Sequence, residues 1–278
     1  MYYKTILAHA DVSPAAGDRA RLAVALARAF DAHLVVTSLT GISRLIPSQV
    51  MANGGPALAA CCAALRRDAD AALTSFVAAV REQGFDGCEA RLVDDDVGAG
   101  LALQARYADL VIAGQATPGT ATPPVPGDLV ASLLLRGGRP VLVAPHAGCS
   151  PSLQGTALIG WDGSVAALRA IVGALPLLRL MRHATVVAID DGGPCPRMAE
   201  DPCVAMAGYL RRHGIDVHIG RRSGPHRVAD TLLDEATRRH AGLLVIGGYG
   251  HAHVREVLLG GVTETVLRTA SLPVLLAH

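Results

Sequence analysis

The sequence predicts an α/β protein made of two tandem, doubly wound, five-stranded parallel-sheet domains, each with about four helices. Three observations predict this class: an internal repeat, apolar segments that alternate with helix-like patterns, and strands that are apolar along their whole length. Strands of the last kind are typical of parallel sheets covered by helices on both faces. The repeat indicates the number of domains.

The repeat is clearest where the fourth and fifth strands of each copy are expected. "ADLVIAG" at 108–114 recurs as "AGLLVIG" at 241–247, and "RPVLVAP" at 139–145 recurs as "LPVLLAH" at 272–278. Both pairs have the same offset of 133 residues, from 108 to 241 and from 139 to 272. The chain therefore contains two copies of one structural unit.

The front of each copy repeats as well, because "ILAHADVSPAA" at 6–16 parallels "LIGWDGSVAA" at 158–167. Between the copies, the segment "APHAGCSPSLQGT" is polar and interrupted by Pro and Gly, as linkers are. We therefore expect one domain at 1–147 and a second at 155–278.

Within each copy, strands alternate with helices in the order that a doubly wound sheet requires. In the first copy, strands are expected at 4–9, 33–38, 89–93, 109–114 and 140–144, and helices at 14–31, 56–83, 97–107 and 128–136. In the second copy, strands are expected at 156–161, 184–189, 216–221, 242–247 and 273–277, and helices at 164–180, 203–213, 226–240 and 261–270. Such sheets bind ligands beyond the carboxyl ends of their strands, where the winding changes direction.

Composition argues against several classes of function. The net charge is only +1, so a sequence-independent nucleic-acid surface is not expected. Lys4 is the only lysine, which excludes a Walker-type phosphate loop. No apolar run approaches the roughly 18 residues of a membrane helix, and the N-terminus has no signal pattern. Six cysteines without a CxxC motif suit a reduced, cytoplasmic protein.

A glycine-rich segment follows the fourth strand of the second copy. Gly247, Gly250, Gly260 and Gly261 have the spacing G-x2-G-x9-G-G between that strand and the last helix. Glycines let the backbone approach an anion closely, and the free N–H groups at a helix start favour negative charge. Spacing alone leaves two interpretations open: a phosphate-binding loop, or a tight turn in front of a helix. Asp162 follows the first strand and is expected at the same edge of the sheet.

Together these features resemble the universal stress protein family, and the chain is similar to its tandem members over nearly all 278 residues. Nucleotide-binding members carry G-x2-G-x9-G-[S/T] followed by V-[S/T], which reads here as the four glycines followed by Val262 and Thr263. "WDGS" at 161–164 resembles the end of the family's first strand, whose aspartate lies at the nucleotide. "VVAID" at 186–190 resembles its second strand, which puts Ala188 at the adenine pocket.

The resemblance implies adenine-nucleotide alpha hydrolase-like domains, with ATP, alone or with Mg²⁺, bound by the second one. The implied binding set is Asp162, Ala188, Gly247, Gly250, His251, Gly260, Gly261, Val262 and Thr263. For His251, contact with phosphate and a position in a solvated loop both stay open. Trp161 either flanks the pocket or packs at the end of the sheet. No catalytic residue or metal ligand is expected, and any ATP hydrolysis would be slow and incidental.

Two departures from the family pattern bear on this expectation. Gly261 stands where the family has Ser or Thr, so one hydroxyl is missing, which weakens binding about tenfold at most. In the first copy, Thr117 replaces the second glycine, and Asp128 places a carboxylate where phosphate would lie. We therefore expect one nucleotide site, in the second domain, although Asp11 in the first copy corresponds to Asp162.

The function favoured by the sequence is that of a stress-response sensor that binds an adenine nucleotide in its C-terminal domain. The alternative is a protein-interaction module of the same fold with a vestigial pocket, which the substitution at Gly261 favours. Neither nucleic acid nor membrane is expected as a partner. The resemblance also implies that the two domains pair through their last strands as an intramolecular pseudo-dimer, and it leaves a homodimer open.

Overall fold

The computed structural model describes residues 2–45, 55–115, 126–148, 155–190, 201–223, 227–249 and 261–278. Contacts between residues divide the chain into two compact units. One consists mainly of Tyr2–Val141 and the other mainly of Ser152–His278, and they are called here the N-terminal and C-terminal units.

The N-terminal copy alternates strands and helices as predicted. Its strands are β1 (Thr5–His9), β2 (His33–Leu39), β3 (Cys88–Val93), β4 (Leu110–Gly114) and β5 (Val141–Ala144). Its helices are α1 (Ala16–Phe30), the short α2 (Ile42–Leu45), α3 (Pro56–Arg81), α4 (Val97–Ala105) and α5 (Pro126–Ser132), which continues as a π-helical turn over Leu133–Gly137.

The C-terminal copy repeats this order. Its strands are β6 (Thr156–Gly160), β7 (His183–Asp190), β8 (Val217–Ser223), β9 (Ala241–Gly247) and β10 (Val274–Ala277). Its helices are α6 (Val165–Leu178), α7 (Pro202–Arg212), α8 (Val228–Arg238) and α9 (Gly261–Thr269).

Each unit winds its parallel strands outward from its first one. In the N-terminal unit, β1 pairs with both β2 and β4, and β3 lies beyond β2. In the C-terminal unit, β6 pairs with β7 and β9, β8 lies beyond β7, and β10 lies beyond β9. The predicted α/β class with parallel, doubly wound strands is confirmed. The winding reverses between β1 and β4 and between β6 and β9, which is where such folds bind ligands.

The central strands are apolar on both faces because helices cover both. Leu244, Val245 and Leu275 are almost completely buried, as are most residues of β1 and β4. Two local features were not predicted. The four-residue α2 is too short to show a helical period, and the π-helical turn ends at Gly138, whose φ of +64° favours glycine.

A buried carboxylate ties α8 to β8 in the C-terminal unit. Glu235 on α8 has its side chain only 1% exposed, and Arg222 at the end of β8 donates to it from Nε at 2.9 Å. Arg238 and Arg239 also form ion pairs with Glu235. Three guanidinium groups thus compensate one buried charge. Among the described residues, no helix has both the length and the apolar character needed to cross a membrane.

Candidate functional site

Three of the predicted site residues emerge at one edge of the C-terminal sheet. The strand β6 lies between β7 and β9, and all three are parallel. The backbone N–H of Trp161 donates to the carbonyl of Val187 at 2.9 Å, which continues the pairing past the end of β6. Because parallel strands end at the same edge, Asp162, Ala188 and Gly247 come out there from neighbouring strands.

Asp162 is presented by a short turn between β6 and α6. Its Oδ1 accepts the backbone N–H of Ser164 at 2.9 Å, and Gly163 has a φ of +77°, which closes the turn. Ser164 then caps α6, because its Oγ accepts the backbone N–H of Ala167 at 3.1 Å. The turn holds Asp162 exposed to solvent at the edge of the sheet.

Gly247, the last residue of β9, is required by packing. A Cβ at this position would lie 2.5 Å from the backbone nitrogen of Ala167 and 2.9 Å from the carbonyl carbon of Ala166. The first turn of α6 therefore rests directly on the strand. The close approach of α6 therefore requires a glycine at this position, whether or not a ligand binds there.

Gly248, the first residue after β9, is held at the edge of the sheet by hydrogen bonds. The N–H of Gly248 donates to the carbonyl of Ala277 at 2.9 Å, and Nδ1 of His278 lies 3.0 Å from the carbonyl oxygen of Gly248. Tyr249 is buried and has a φ of +59°, a conformation that non-glycine residues seldom adopt. Gly250, His251 and Gly260 lie outside the described residues.

The last helix begins at Gly261. This residue is exposed, and a Cβ built on it would meet no heavy atom of the described residues within 4 Å. Val262 is half-buried, whereas Thr263 is only 5% exposed. The described residues therefore leave space for a side chain at Gly261.

Ala188 has a buried thiol beside it that the sequence did not reveal. Cys203, in the first turn of α7, is 1% exposed, and burial raises the pKa of its thiol. A hydrogen bond with the backbone of Ala188 acts in the opposite direction. At the end of β6, Nε1 of Trp161 is buried and has no hydrogen-bond partner among the described residues. The indole is half-buried at the edge where Asp162 lies.

The equivalent edge of the N-terminal unit is organised differently. Arg19, on α1, is 1% exposed, and its Nε donates to the carbonyl of His9 at 2.9 Å. Its Nη2 lies 2.6 Å from Oδ1 of Asp11, and its Nη1 lies 3.4 Å from Oγ of Ser13. The Ser13 hydroxyl also donates to Asp11. The aspartate that corresponds to Asp162 is thus held inside an ion pair.

Two pKa values reflect this enclosure. Burial alone would raise the pKa of Asp11, but the Arg19 guanidinium, the nearby His9 and the bonds from Ser13 and Arg19 hold it at about 2. Burial lowers the pKa of His9 to about 4, and Arg19 adds to this effect while Asp11 opposes it. At neutral pH, His9 is therefore neutral and Asp11 is ionised.

Sequence reasoning did not identify Arg19, although a signal was present. On α1, Ala15, Leu22, Ala23 and Leu26 are buried at helical spacing, and Arg19 lies on the same face. An arginine in an apolar stripe is buried only when it is paired. Among the described residues, no three His, Cys, Asp or Glu side chains are grouped to hold a metal ion.

Comparison with known proteins shows the fold of the chain and identifies one segment that matches a protein family. A model of the universal stress protein family matches residues 197–278. The structure is similar to a universal stress protein from Archaeoglobus fulgidus DSM 4304, with 16% identity, a TM-score of 0.71, and coverage of 98% of this chain and 97% of that one. It is also similar to a putative universal stress protein from Pseudomonas aeruginosa UCBPP-PA14, with 21% identity, a TM-score of 0.58, and coverage of 98% and 92%. No curated protein sequence matches the chain.

At these identities the solved structures show the fold, and the family match is confined to the C-terminal unit. The matched segment contains α7 to α9, β8 to β10 and the whole glycine-rich segment. Residues 197–278 therefore match the universal stress protein family model, in a chain that has the fold of solved universal stress proteins over nearly all its length.

Proposed function

We propose that the C-terminal unit binds an adenine nucleotide, ATP, at the carboxyl edge of its sheet, and that the protein acts as a stress-response sensor. One observation carries this proposal. Asp162 is exposed between the ends of β7 and β9, at the point where the winding of the sheet reverses. Ligands of doubly wound folds bind at this point.

Phosphate recognition would fall to backbone groups. The helix α9 begins at the exposed Gly261, and the first N–H groups of a helix, together with its dipole, attract anions. Val262 and Thr263 belong to the same first turn. The glycine spacing adds Gly250 and Gly260 as further N–H donors, and His251 as a polar neighbour, on the grounds of the sequence pattern.

The nucleoside would lie over β6 and β7. The Asp162 carboxylate can accept hydrogen bonds from ribose hydroxyls, because Ser164 engages only its Oδ1. Ala188 is small and half-buried, so it leaves room beside the end of β7 for an apolar base. The Trp161 indole is the adjacent aromatic group. If Mg²⁺ accompanies ATP, it would be held through the phosphates, as is usual for this ion.

We propose binding with at most slow and incidental hydrolysis, and the position of the Ser164 hydroxyl beside Asp162 supports this. The Oγ of Ser164 serves as the N-cap of α6 and accepts a backbone N–H. A serine nucleophile needs an adjacent base that takes the proton of its hydroxyl, whereas the Oγ of Ser164 accepts the backbone N–H of Ala167, and the Asp162 carboxylate accepts the backbone N–H of Ser164 rather than its hydroxyl. This arrangement favours a sensor over a metabolic enzyme.

The competing function is a protein-interaction module in which the pocket is vestigial. The observation in its favour is Gly261, which lacks the hydroxyl of the family pattern although the described residues leave space for one. The two functions differ in one measurable respect, since only the first requires ATP to bind.

Calorimetric titration of the full chain with ATP tests the proposal. We expect one ATP per chain for the wild-type protein, and an affinity about 10- to 100-fold lower for Asp162→Ala, because a hydrogen bond to a charged group is lost. The matched control is Asp216→Ala, whose carboxylate is 71% exposed in front of β8, and which should bind like the wild type. No heat at millimolar ATP, together with no nucleotide released from the purified protein, would leave the interaction module as the function.

A further inference from the structure

We infer that Arg19 withdraws Asp11 from ligand binding, and so makes the duplicated aspartates of the two units perform different tasks. In the N-terminal unit the aspartate is an internal counter-ion, and in the C-terminal unit it is free for a ligand. The part of this inference that concerns nucleotide rests on the proposed function. The part that concerns Arg19 and Asp11 does not.

The two aspartates occupy equivalent positions. Asp11 follows β1 and Asp162 follows β6, and each accepts the backbone N–H of the serine two residues later at 2.9 Å. Their surroundings differ. Asp11 is 30% exposed and paired with a buried guanidinium, whereas Asp162 is exposed. One carboxylate is therefore paired within the protein, whereas the other is exposed to solvent.

The difference originates one turn into the following helix. With the offset of 151 that relates Asp11 to Asp162, the counterpart of Arg19 is Ala170, which is completely buried. Arginine at this position spans from the end of β1 to Asp11, since it bonds the carbonyl of His9 and the carboxylate together. Alanine cannot reach either group. A single residue type thus decides whether the aspartate is engaged.

The equivalent glycines at the ends of β4 and β9 reflect the same difference. A Cβ on Gly114 would collide with the guanidinium of Arg19 and would lie 3.5 Å from Oδ2 of Asp11. A Cβ on Gly247 would instead collide with the backbone of Ala167 in α6. The glycine in the N-terminal unit therefore makes room for the ion pair. Both oxygens of Asp11 face protein groups, because Oδ2 also lies 3.6 Å from Nδ1 of His9.

One chain should therefore bind one nucleotide, and the two aspartates should contribute to different properties, Asp11 to stability and Asp162 to binding. Removing the Asp11 carboxylate would leave the buried Arg19 charge without its partner, which is strongly destabilising. Removing the exposed Asp162 carboxylate would leave no such charge behind. Asp11 should therefore matter for folding and Asp162 for the ligand.

The test compares Asp11→Ala with Asp162→Ala in the full chain, by thermal unfolding and by ATP titration. Asp11→Ala should lower Tm by on the order of 5–10 °C and leave the ATP affinity within about twofold of wild type. Asp162→Ala should leave Tm nearly unchanged and weaken ATP binding about 10- to 100-fold. Arg21→Ala, on the exposed side of α1, is the matched control for the arginine and should change neither quantity.

Two results would overturn the inference. One is weaker ATP binding by Asp11→Ala at an unchanged Tm, and the other is two ATP molecules per wild-type chain. A wild-type protein that binds no ATP would contradict the proposed function alone. The pairing of Arg19 with Asp11 can still be tested in that case, by thermal unfolding of Arg19→Ala, Asp11→Ala and the variant that carries both substitutions. The inference predicts that Arg19→Ala and Asp11→Ala lower Tm non-additively, whereas additive effects contradict it. If Arg19→Ala does not fold, Arg19→Lys takes its place in the comparison of the single and double variants.

Discussion

The guanidinium of Arg19 lies 2.6 Å from the carboxylate of Asp11, and the arginine is almost completely enclosed at the end of β1. In the other unit, Asp162 occupies the equivalent turn and is exposed, with the buried Ala170 in the place of the arginine. Duplication has thus produced two copies of one strand-end aspartate with different surroundings. The contrast favours one ligand site per chain, in the C-terminal unit.

Acid should destabilise the N-terminal unit in two stages. The unfolded chain protonates His9 below a pKa near 6.5, whereas burial holds the folded pKa at about 4. Between these values the unfolded state binds more protons, so stability falls as pH decreases, by about 3 kcal/mol at most. Between about 4 and about 2, Asp11 is protonated more readily in the unfolded chain, so stability falls further.

Urea unfolding at a series of pH values checks this dependence. In His9→Gln, the decline between pH 6.5 and 4 should be much smaller, while the decline below pH 4 persists. The control is His33→Gln, whose imidazole is 51% exposed, and which should keep the wild-type dependence. An unchanged slope in His9→Gln would contradict a buried, neutral His9.

Restoring the hydroxyl at the start of α9 should strengthen nucleotide binding. Among the described residues, no heavy atom lies within 4 Å of a Cβ built on Gly261, and a serine there would add one hydrogen bond to phosphate worth roughly 0.5–1.5 kcal/mol. The expected result is an ATP affinity up to about tenfold higher by calorimetry. Gly17→Ser, at another uncrowded position in the N-terminal unit, should leave the affinity unchanged. Equal or weaker binding by Gly261→Ser would argue against phosphate at this helix start.

Gly247→Ala should destabilise the protein through packing. Its Cβ would lie 2.5 Å from the backbone nitrogen of Ala167, so α6 would have to move, at a cost of about 1–3 kcal/mol or more. Urea unfolding measures the change. Gly208→Ala is the opposite case, because that helical glycine has room for a methyl group and the change should stabilise by roughly 0.5–1 kcal/mol. Wild-type stability of Gly247→Ala would contradict the close approach of α6.

Glu235→Ala should be among the more damaging substitutions in the C-terminal unit. It leaves Arg222, Arg238 and Arg239 around an empty position, and because these side chains are 33% to 59% exposed and can be solvated, the cost should be about 1–3 kcal/mol. Glu235→Gln retains the hydrogen-bond acceptor without the charge, so its loss of stability should be smaller. The comparison is made by denaturant unfolding. Equal and small effects of both variants would show that the cluster contributes little.

The fold could be predicted from the sequence because its signals are periodic and repeated. Segments such as "LVIAG" and "LLVIG" are continuous apolar runs between helical patterns, and the offset between the copies identifies equivalent strands. The bounds of β9 and α9 lie within one residue of those predicted. What the sequence did not indicate is α2, since four residues are too few to form a period.

The site could be predicted only as a set of positions. The order of the strands places Asp162, Ala188 and Gly247 at one edge, because a parallel sheet brings its carboxyl ends together. The order of the strands does not predict the direction in which each side chain points. Asp11 and Asp162 each follow a strand and precede a serine by two residues, and the Arg19 side chain that reaches back from α1 gives Asp11 different surroundings. The buried thiol of Cys203 beside Ala188 likewise depends on how α7 packs.

The most direct test of the central claim uses the only tryptophan in the chain. Trp161 lies at the end of β6 next to Asp162, and its buried indole N–H gives a single, assignable NMR signal. On titration with ATP, we expect this signal to shift and to saturate at one ATP per chain, while the backbone signals of Asp11 and Gly114 stay in place. A Trp161 signal that does not move at millimolar ATP would contradict a nucleotide site in the C-terminal unit.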